Sequence, residues 1–254
     1  MGFFGIGKIP DQFAFVEIET STACNLRCRY CPNSISDRGL LKNNRQMPES
    51  LFCRLVDELE DMGFEGELHP HFYNEPLLDQ RLPHLLAYVR SKLPRCRICV
   101  FTNGVLLTLE KYMALASAGV NGIEITRHTP TDPSHIADIL AYRSSNGDGG
   151  IELNYNKAGV DGAILFNRCG MIPLRRIVET GKGCTWPCHY LTINYRGDVL
   201  LCCNDYFASF PVGNVSESSI AQIWDKPYNR ALRVQLCKDA SKVAICRKCE
   251  SGFF

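Results

Sequence analysis

The chain has 254 residues, 45% of them hydrophobic, with 28 basic and 27 acidic side chains and a net charge of +1 at pH 7. That length holds one large domain or one domain with a small appendage, and balanced charge without long runs leaves no footprint for nucleic acid or an anionic membrane. No segment is apolar for long enough to span a bilayer, and residues 1–10 are broken by glycines, Lys8 and Pro10, so a cytoplasmic protein with no membrane partner is expected.

A strand predicted over residues 13–19 runs directly into Cys24, Cys28 and Cys31, spaced C-x3-C-x2-C with Tyr30 just before the last cysteine. Three thiolates on one short loop can hold three irons of a [4Fe-4S] cube and leave the fourth iron open to a small chelating ligand. A structural zinc site wants four ligands, and no histidine is nearby; zinc and a disulfide remain the alternatives.

Helices and strands alternate from there on. A helix is predicted over 48–62, where Leu51, Leu55, Val56 and Leu59 keep helical spacing, then a strand over 67–72 and a helix over 82–92. Strand 97–101, helix 109–118, strand 122–126, helix 134–142 and strands 151–155 and 163–166 follow. Alternating units predict a parallel sheet with helices outside, and such barrels carry their chemistry at the C-terminal strand ends.

The pattern changes near residue 181. Segments 189–195 and 198–201 flank Arg196-Gly197, a hairpin signal, and a helix over 219–236 is interrupted near Pro227. The expected division is 1–180 and 181–254, the second unit being too small to rely on a core alone. A metal staple would help it fold.

The chain has 14 cysteines, which suggests metal centres in a reducing compartment rather than a disulfide framework. Four near the C-terminus are spaced as two sets, Cys184 and Cys202 on either side of Gly197, then Cys246 and Cys249. Cys169, Cys188, Cys203 and Cys237 are left over; a buried free cysteine is ordinarily a small hydrophobe, but a thiol is also a good hydrogen donor to a carbon radical.

The Cys24-Cys28-Cys31 run resembles the cluster loop of the radical S-adenosylmethionine (SAM) superfamily. The resemblance implies an α/β fold, a partial (β/α)6 barrel of TIM type, and SAM on the open iron as the source of a 5'-deoxyadenosyl radical that abstracts a hydrogen atom. Tyr30 then belongs to the cofactor site. Phe72-Tyr73-Asn74-Glu75-Pro76 resembles the superfamily's GGEP segment, which implies that Tyr73, Asn74 and Glu75 meet the SAM amine. An ordinary strand-to-helix turn is the plain alternative. By the same resemblance Thr102 and Asn103 contact the adenosyl part, and Arg127 or His128 meets the SAM carboxylate or a substrate hydroxyl. Arg168, in Asn167-Arg168-Cys169-Gly170, resembles an arginine that reaches substrate in sugar-modifying members; a surface arginine is the alternative.

The C-terminal cysteines resemble SPASM and twitch auxiliary-cluster domains, here a small hairpin-plus-helix twitch unit. The simplest ligand set is Cys184, Cys202, Cys246 and Cys249 around one cluster, giving two [4Fe-4S] clusters in all; a zinc ribbon is the alternative. If Cys188 or Cys203 is a ligand instead, Cys249 is freed as a hydrogen donor.

Over nearly its whole length the chain resembles small twitch-domain enzymes of aminoglycoside biosynthesis. These include epimerases of the neomycin C type and dehydrogenases of an aminocyclitol alcohol. The surplus thiols favour an epimerase in which Cys249, Cys203, Cys188 or Cys169 returns hydrogen to the opposite face. The alternative is a dehydrogenase that passes an electron to the auxiliary cluster. Either implies a small aminoglycoside or aminocyclitol substrate and an external donor of flavodoxin or ferredoxin type. A peptide-modifying maturase and a non-enzymatic metal protein are further alternatives. For a polycationic substrate, Glu19, Asp132, Glu152 and Asp205 are the candidate carboxylates.

Overall fold

The computed structural model describes residues 10–156, 167–173 and 183–249. Four βα units come first: β1 (Phe15–Ile18) and α1 (Glu49–Asp61), β2 (Glu67–His69) and α2 (Leu82–Lys92), β3 (Arg97–Thr102) and α3 (Leu109–Ser117), β4 (Gly122–Thr126) and α4 (Ile136–Asn146). After β5 (Glu152–Asn156) come a four-residue helix α5 (Trp186–His189), β6 (Tyr190–Ile193), β7 (Asp198–Leu200) and β8 (Pro211–Asn214). The described chain ends with α6 (Ile220–Asp225) and α7 (Pro227–Lys238).

Helical spacing does what it predicts. Leu55, Val56 and Leu59 of α1 are buried, with Phe52 taking the place expected for the half-buried Leu51, and Leu82, Leu85, Leu86 and Val89 of α2 are buried too, each set forming one apolar stripe against the sheet. Thr108 accepts from the Lys111 amide and caps α3. β3 is buried on both faces, as a central parallel strand must be.

The sheet order is β5-β4-β3-β2-β1-β6-β7-β8, with every pair from β5 to β1 parallel. This is the parallel sheet of a partial barrel. The strand expected over 163–166 lies outside the described residues. The hairpin expected around Arg196-Gly197 is present: β6 and β7 are antiparallel, and Gly197 takes φ +85°, a left-handed value that glycine adopts without a Cβ clash. Its first strand, however, pairs in parallel with β1, Phe15 opposite Tyr190. The hairpin therefore extends the barrel's own sheet.

The core is also continuous across residue 180. Leu191, Ile193, Val199, Val215, Ile220, Ile223 and Trp224 share one apolar cluster with the barrel residues. Glu58 of α1 accepts the Ile220 amide at 2.7 Å, which docks the start of α6 on the barrel. A separate small cluster of Leu201, Leu232, Leu236 and Val243 lies under the C-terminal cysteines. β8 had no strand signal, since it opens on a proline and contains Gly213; it is held as the outer strand by pairing with β7.

Candidate active site

β1 stops at Ile18, and the cysteine loop begins at the strand's C-terminal end. The loop is held by partners far away in sequence. The Glu75 amide donates to the Ala23 carbonyl at 2.8 Å, Asn103 Nδ2 to Asn25 Oδ1 at 2.8 Å, and Asn33 Nδ2 to the Tyr73 carbonyl at 2.9 Å. Tyr206 in turn donates to Asn33 Oδ1 at 2.8 Å. Gly39 leaves room for this anchor: a Cβ there would stand 2.5 Å from the Asn33 side chain.

Cys24, Cys28 and Cys31 all line one cavity of about 310 Å³, with Tyr30, Tyr73, Asn74, Glu75, Thr102, Asn103, His128 and Arg168. Burial pushes the Cys24 thiol up to about 12 and raises those of Cys28 and Cys31, with repulsion from the neighbouring thiols adding to it at Cys24 and Cys28. Three half-buried thiols that resist ionisation together become stable thiolates on a cationic iron centre, so the loop fits a cluster. His71 Nδ1 and Asn74 Nδ2 are buried without a partner, which fits a polar ligand in the same space.

Glu75 is 2% exposed, and its carboxylate is already engaged. Oε1 accepts from Thr102 Oγ1 at 2.7 Å and from the Leu77 amide at 3.1 Å, and Oε2 from the Asn103 amide at 2.9 Å. Its first task is thus to brace the end of β3 against the cluster loop. Tyr30 Oη and His128 Nδ1 meet at 2.5 Å across the cavity. Arg127 departs from expectation: it is not a cavity-lining residue, and its Nη1 donates to Asp132 at 3.2 Å. The side chain preceding His128 points to the other side of the strand end.

Arg168, Cys169 and Gly170 take successive positive φ values of 50°, 57° and 82°. Two non-glycine residues in that region mark a strained turn imposed by its surroundings. Asn167 Nδ2 donates to the Lys248 carbonyl at 2.7 Å on one side, and Arg168 Nη1 to Asn204 Oδ1 at 3.0 Å on the other. The guanidinium lies 5.5 Å from the Tyr73 ring centroid and lines the cavity.

The C-terminal thiols gather beyond this turn. Burial and the charges of Cys202 and Cys249 push Cys184 up to about 12, and burial with Cys202, Cys184 and Cys249 does the same to Cys246. Cys184 and Cys246, each raised by burial and by the charges of neighbouring thiols, stand together with Cys202 and Cys249, a set that fits an auxiliary cluster by the same argument as the first loop. Cys169 is a fifth thiol at this place, its pKa raised chiefly by hydrogen bonding with Cys202 and Cys249. Cys203 alone of the surplus thiols lines the cavity. Cys188 does not reach it; its sulfur lies 2.8 Å from Cys237.

Two cavity residues went unsingled in the sequence. Glu17 on β1 stands in register with His69 on β2, lines the cavity, and accepts from Thr192 Oγ1 at 2.8 Å through Oε2. Burial raises its pKa against the opposing pull of His69, Thr192 and Arg168. His71 is held down to about 3 by burial and by the charge of His69. Strand alternation from a known inward residue would have marked both. The four candidate carboxylates are used otherwise. Glu19 takes Arg38 on both oxygens, at 2.6 and 2.5 Å; Asp205 accepts the Ser209 and Phe210 amides; Asp132 and Glu152 pair with Arg127 and Arg97.

A three-thiol loop at a parallel strand end, above a polar cavity and beside a second thiol set, defines an iron–sulfur radical enzyme. The radical SAM superfamily profile matches residues 18–149, and that of SPASM, an iron-sulfur cluster-binding domain, matches residues 184–250. The chain belongs to the radical SAM superfamily, and its two matched domains imply SAM and two [4Fe-4S] clusters as cofactors. Among particular proteins it is similar to the S-adenosyl-L-methionine-dependent 2-deoxy-scyllo-inosamine dehydrogenase of Niallia circulans, 27% identical over 243 residues, 94% of this chain and 93% of that one. The crystal structure of BtrN in complex with AdoMet and 2-DOIA matches with a TM-score of 0.81 at 25% identity, covering 95% of this chain and 97% of that one. The GTP 3',8-cyclase of Chlorobaculum tepidum is 30% identical over 130 residues, only 48% of this chain and 36% of that protein. Among the described residues no helix is long and apolar enough to cross a membrane.

Proposed function

We propose that the chain is a radical SAM dehydrogenase of aminoglycoside biosynthesis, oxidising a secondary alcohol of an aminocyclitol such as 2-deoxy-scyllo-inosamine to the ketone. The observation that carries this reading is the adjacency of Cys202 and Cys203: Cys202 belongs to the auxiliary thiol set, while Cys203 walls the cavity shared by the cluster-loop thiols. An electron acceptor held one peptide from the substrate space is what an oxidation needs and an inversion does not. The end-to-end likeness to the Niallia circulans dehydrogenase supports the same choice over the epimerase expected from the surplus thiols.

When bound, SAM supplies a radical that takes a hydrogen atom from the carbinol carbon, and the auxiliary cluster supplies the acceptor for the remaining electron. The chain's own residues manage the substrate and the proton. Thr192 fixes Glu17 Oε2 and leaves Oε1 for the hydroxyl proton. The raised pKa of Glu17 makes it a better proton acceptor than a surface carboxylate. Arg168, held by Asn204, offers guanidinium donors to ring hydroxyls, and neutral His71 and Asn74 complete the polar wall.

The epimerase is the second reading, and one observation favours it: the Cys203 thiol, kept protonated by burial, stands in the cavity where a radical would be quenched. Anaerobic turnover of the reconstituted enzyme with SAM, reductant and 2-deoxy-scyllo-inosamine in D2O separates the two. A ketone without deuterium, formed with 5'-deoxyadenosine, is the expected result. An inverted product carrying one deuterium, lost in Cys203→Ala, would establish the epimerase instead.

A cytoplasmic setting, an external flavodoxin- or ferredoxin-type donor and a division at 180/181 complete the proposal. The division is supported by the SPASM match beginning at residue 184, although one sheet runs through both parts.

A further inference from the structure

A second pair of thiols is built into the C-terminal part, away from the cavity. Cys188 Sγ lies 2.8 Å from Cys237 Sγ and 3.8 Å from the Arg233 carbonyl oxygen, to which it donates. Cys188 is buried in α5, whereas Cys237, in the last turn of α7, is partly exposed. The two residues are 49 apart in sequence, and neither lines the cavity. A disulfide bond of about 2.05 Å asks for less than an ångström of approach from this geometry. Hydrogen bonding with Cys188 and the nearby Arg233 guanidinium pull the Cys237 thiol below its ordinary range, against the effect of burial.

The surroundings give the pair a structural consequence. The Cys184 amide donates to the Leu236 carbonyl at 2.8 Å, next in chain to Cys237. Gly183 packs so closely on the Cys237 carbonyl that a Cβ would stand 2.2 Å from its oxygen. The segment presenting Cys184 is therefore pressed onto the end of α7 by backbone contact, and Cys188 follows four residues later on α5.

We propose that Cys188 and Cys237 form a thiol–disulfide exchange site that takes a small-molecule disulfide as its oxidising substrate. The partly exposed Cys237 thiolate attacks one sulfur of the disulfide, breaking that S–S bond and releasing one thiolate. The Cys188 thiolate then attacks the Cys237 sulfur of the mixed disulfide and releases the second. Two protein thiols lose two electrons and two protons, and the small disulfide leaves as two thiols. The product ties α5 to α7 and fastens the Cys184 segment without consuming a thiol of either cluster set.

The test uses reconstituted holoenzyme, incubated anaerobically with hydroxyethyl disulfide, quenched in acid, alkylated and mapped by mass spectrometry. The expected result is a Cys188–Cys237 link and the loss of two alkylated thiols, with iron content and visible cluster absorbance unchanged. Cys188→Ser should stop at a mixed disulfide on Cys237 with iron likewise retained. The proposal is overturned if both thiols stay alkylatable in the wild type, or if the link forms only in step with iron loss. It is overturned equally if Cys188→Ser yields no adduct on Cys237.

Discussion

Tyr30 and His128, 98 residues apart, meet Oη to Nδ1 at 2.5 Å and tie the cysteine loop to the end of β4. The contact joins the aromatic residue of the cluster loop to the far wall of the cavity. Tyr30→Phe removes the bond while keeping the ring, at a cost of about 0.5–1.5 kcal/mol. SAM binding to the reconstituted enzyme, measured by calorimetry, should weaken about 2- to 12-fold. Unchanged affinity would show that the tie plays no part in forming the site.

Glu17 gives the proposed reaction a pH dependence with a definite sign. Burial raises its folded pKa above 4.5, so its basic form is lost as pH falls through that raised value. Ketone formation should therefore decline on the acid side above the range of an ordinary carboxylate. Glu17→Gln should lower ketone formation about 100-fold or more while 5'-deoxyadenosine still appears. If both products fall together, Glu17 shapes the site rather than taking the proton.

The bracing role of Glu75 is testable without turnover. Thr102→Val removes the hydroxyl that donates to Glu75 and accepts from the Gly104 amide. Urea unfolding of the protein should show a loss of about 1–3 kcal/mol, since buried partners are left unpaired. A loss within error would mean that the Leu77 and Asn103 amides suffice.

His71 makes the fold acid-sensitive. Its folded pKa is held down to about 3 by burial, against 6.5 for the free side chain. Between those values the unfolded chain binds the extra proton, so stability falls as pH drops from 6.5 towards 3, by at most about 1.4 kcal/mol per unit. Urea midpoints of the wild type should follow that slope, and those of His71→Gln should be flatter. Parallel slopes for the two proteins would remove His71 as the cause.

Iron content separates ligands from bystanders among the crowded C-terminal thiols. Cys249→Ser should drop reconstituted iron from about eight to about four per chain, whereas Cys169→Ser should keep about eight. The opposite pattern would exchange the two residues' roles.

Much of the architecture was legible because its signals are local. The apolar spacing 55, 56 and 59 in α1, the boundaries of α2 and β4, and the Arg196-Gly197 turn all follow from backbone period and turn chemistry. β8 was not legible, because pairing with β7 holds it and its own residues do not favour a strand. The acids show the same limit. Glu17 and Glu19 look equivalent in sequence, yet Glu17 faces the cavity while Glu19 is claimed by Arg38, which folds back from the cluster loop.

Cys24, Cys28 and Cys31 needed only their spacing to suggest an open-iron loop, since one short segment carries all three thiols. The fates of Cys169, Cys188, Cys203 and Cys237 were decided by tertiary structure alone. One stands against the auxiliary set, one walls the cavity and two face each other, because segments distant in sequence bring them there. Thiol chemistry depends on which sulfur, charge or cavity lies within a few ångströms, and sequence spacing does not encode that distance between separate elements.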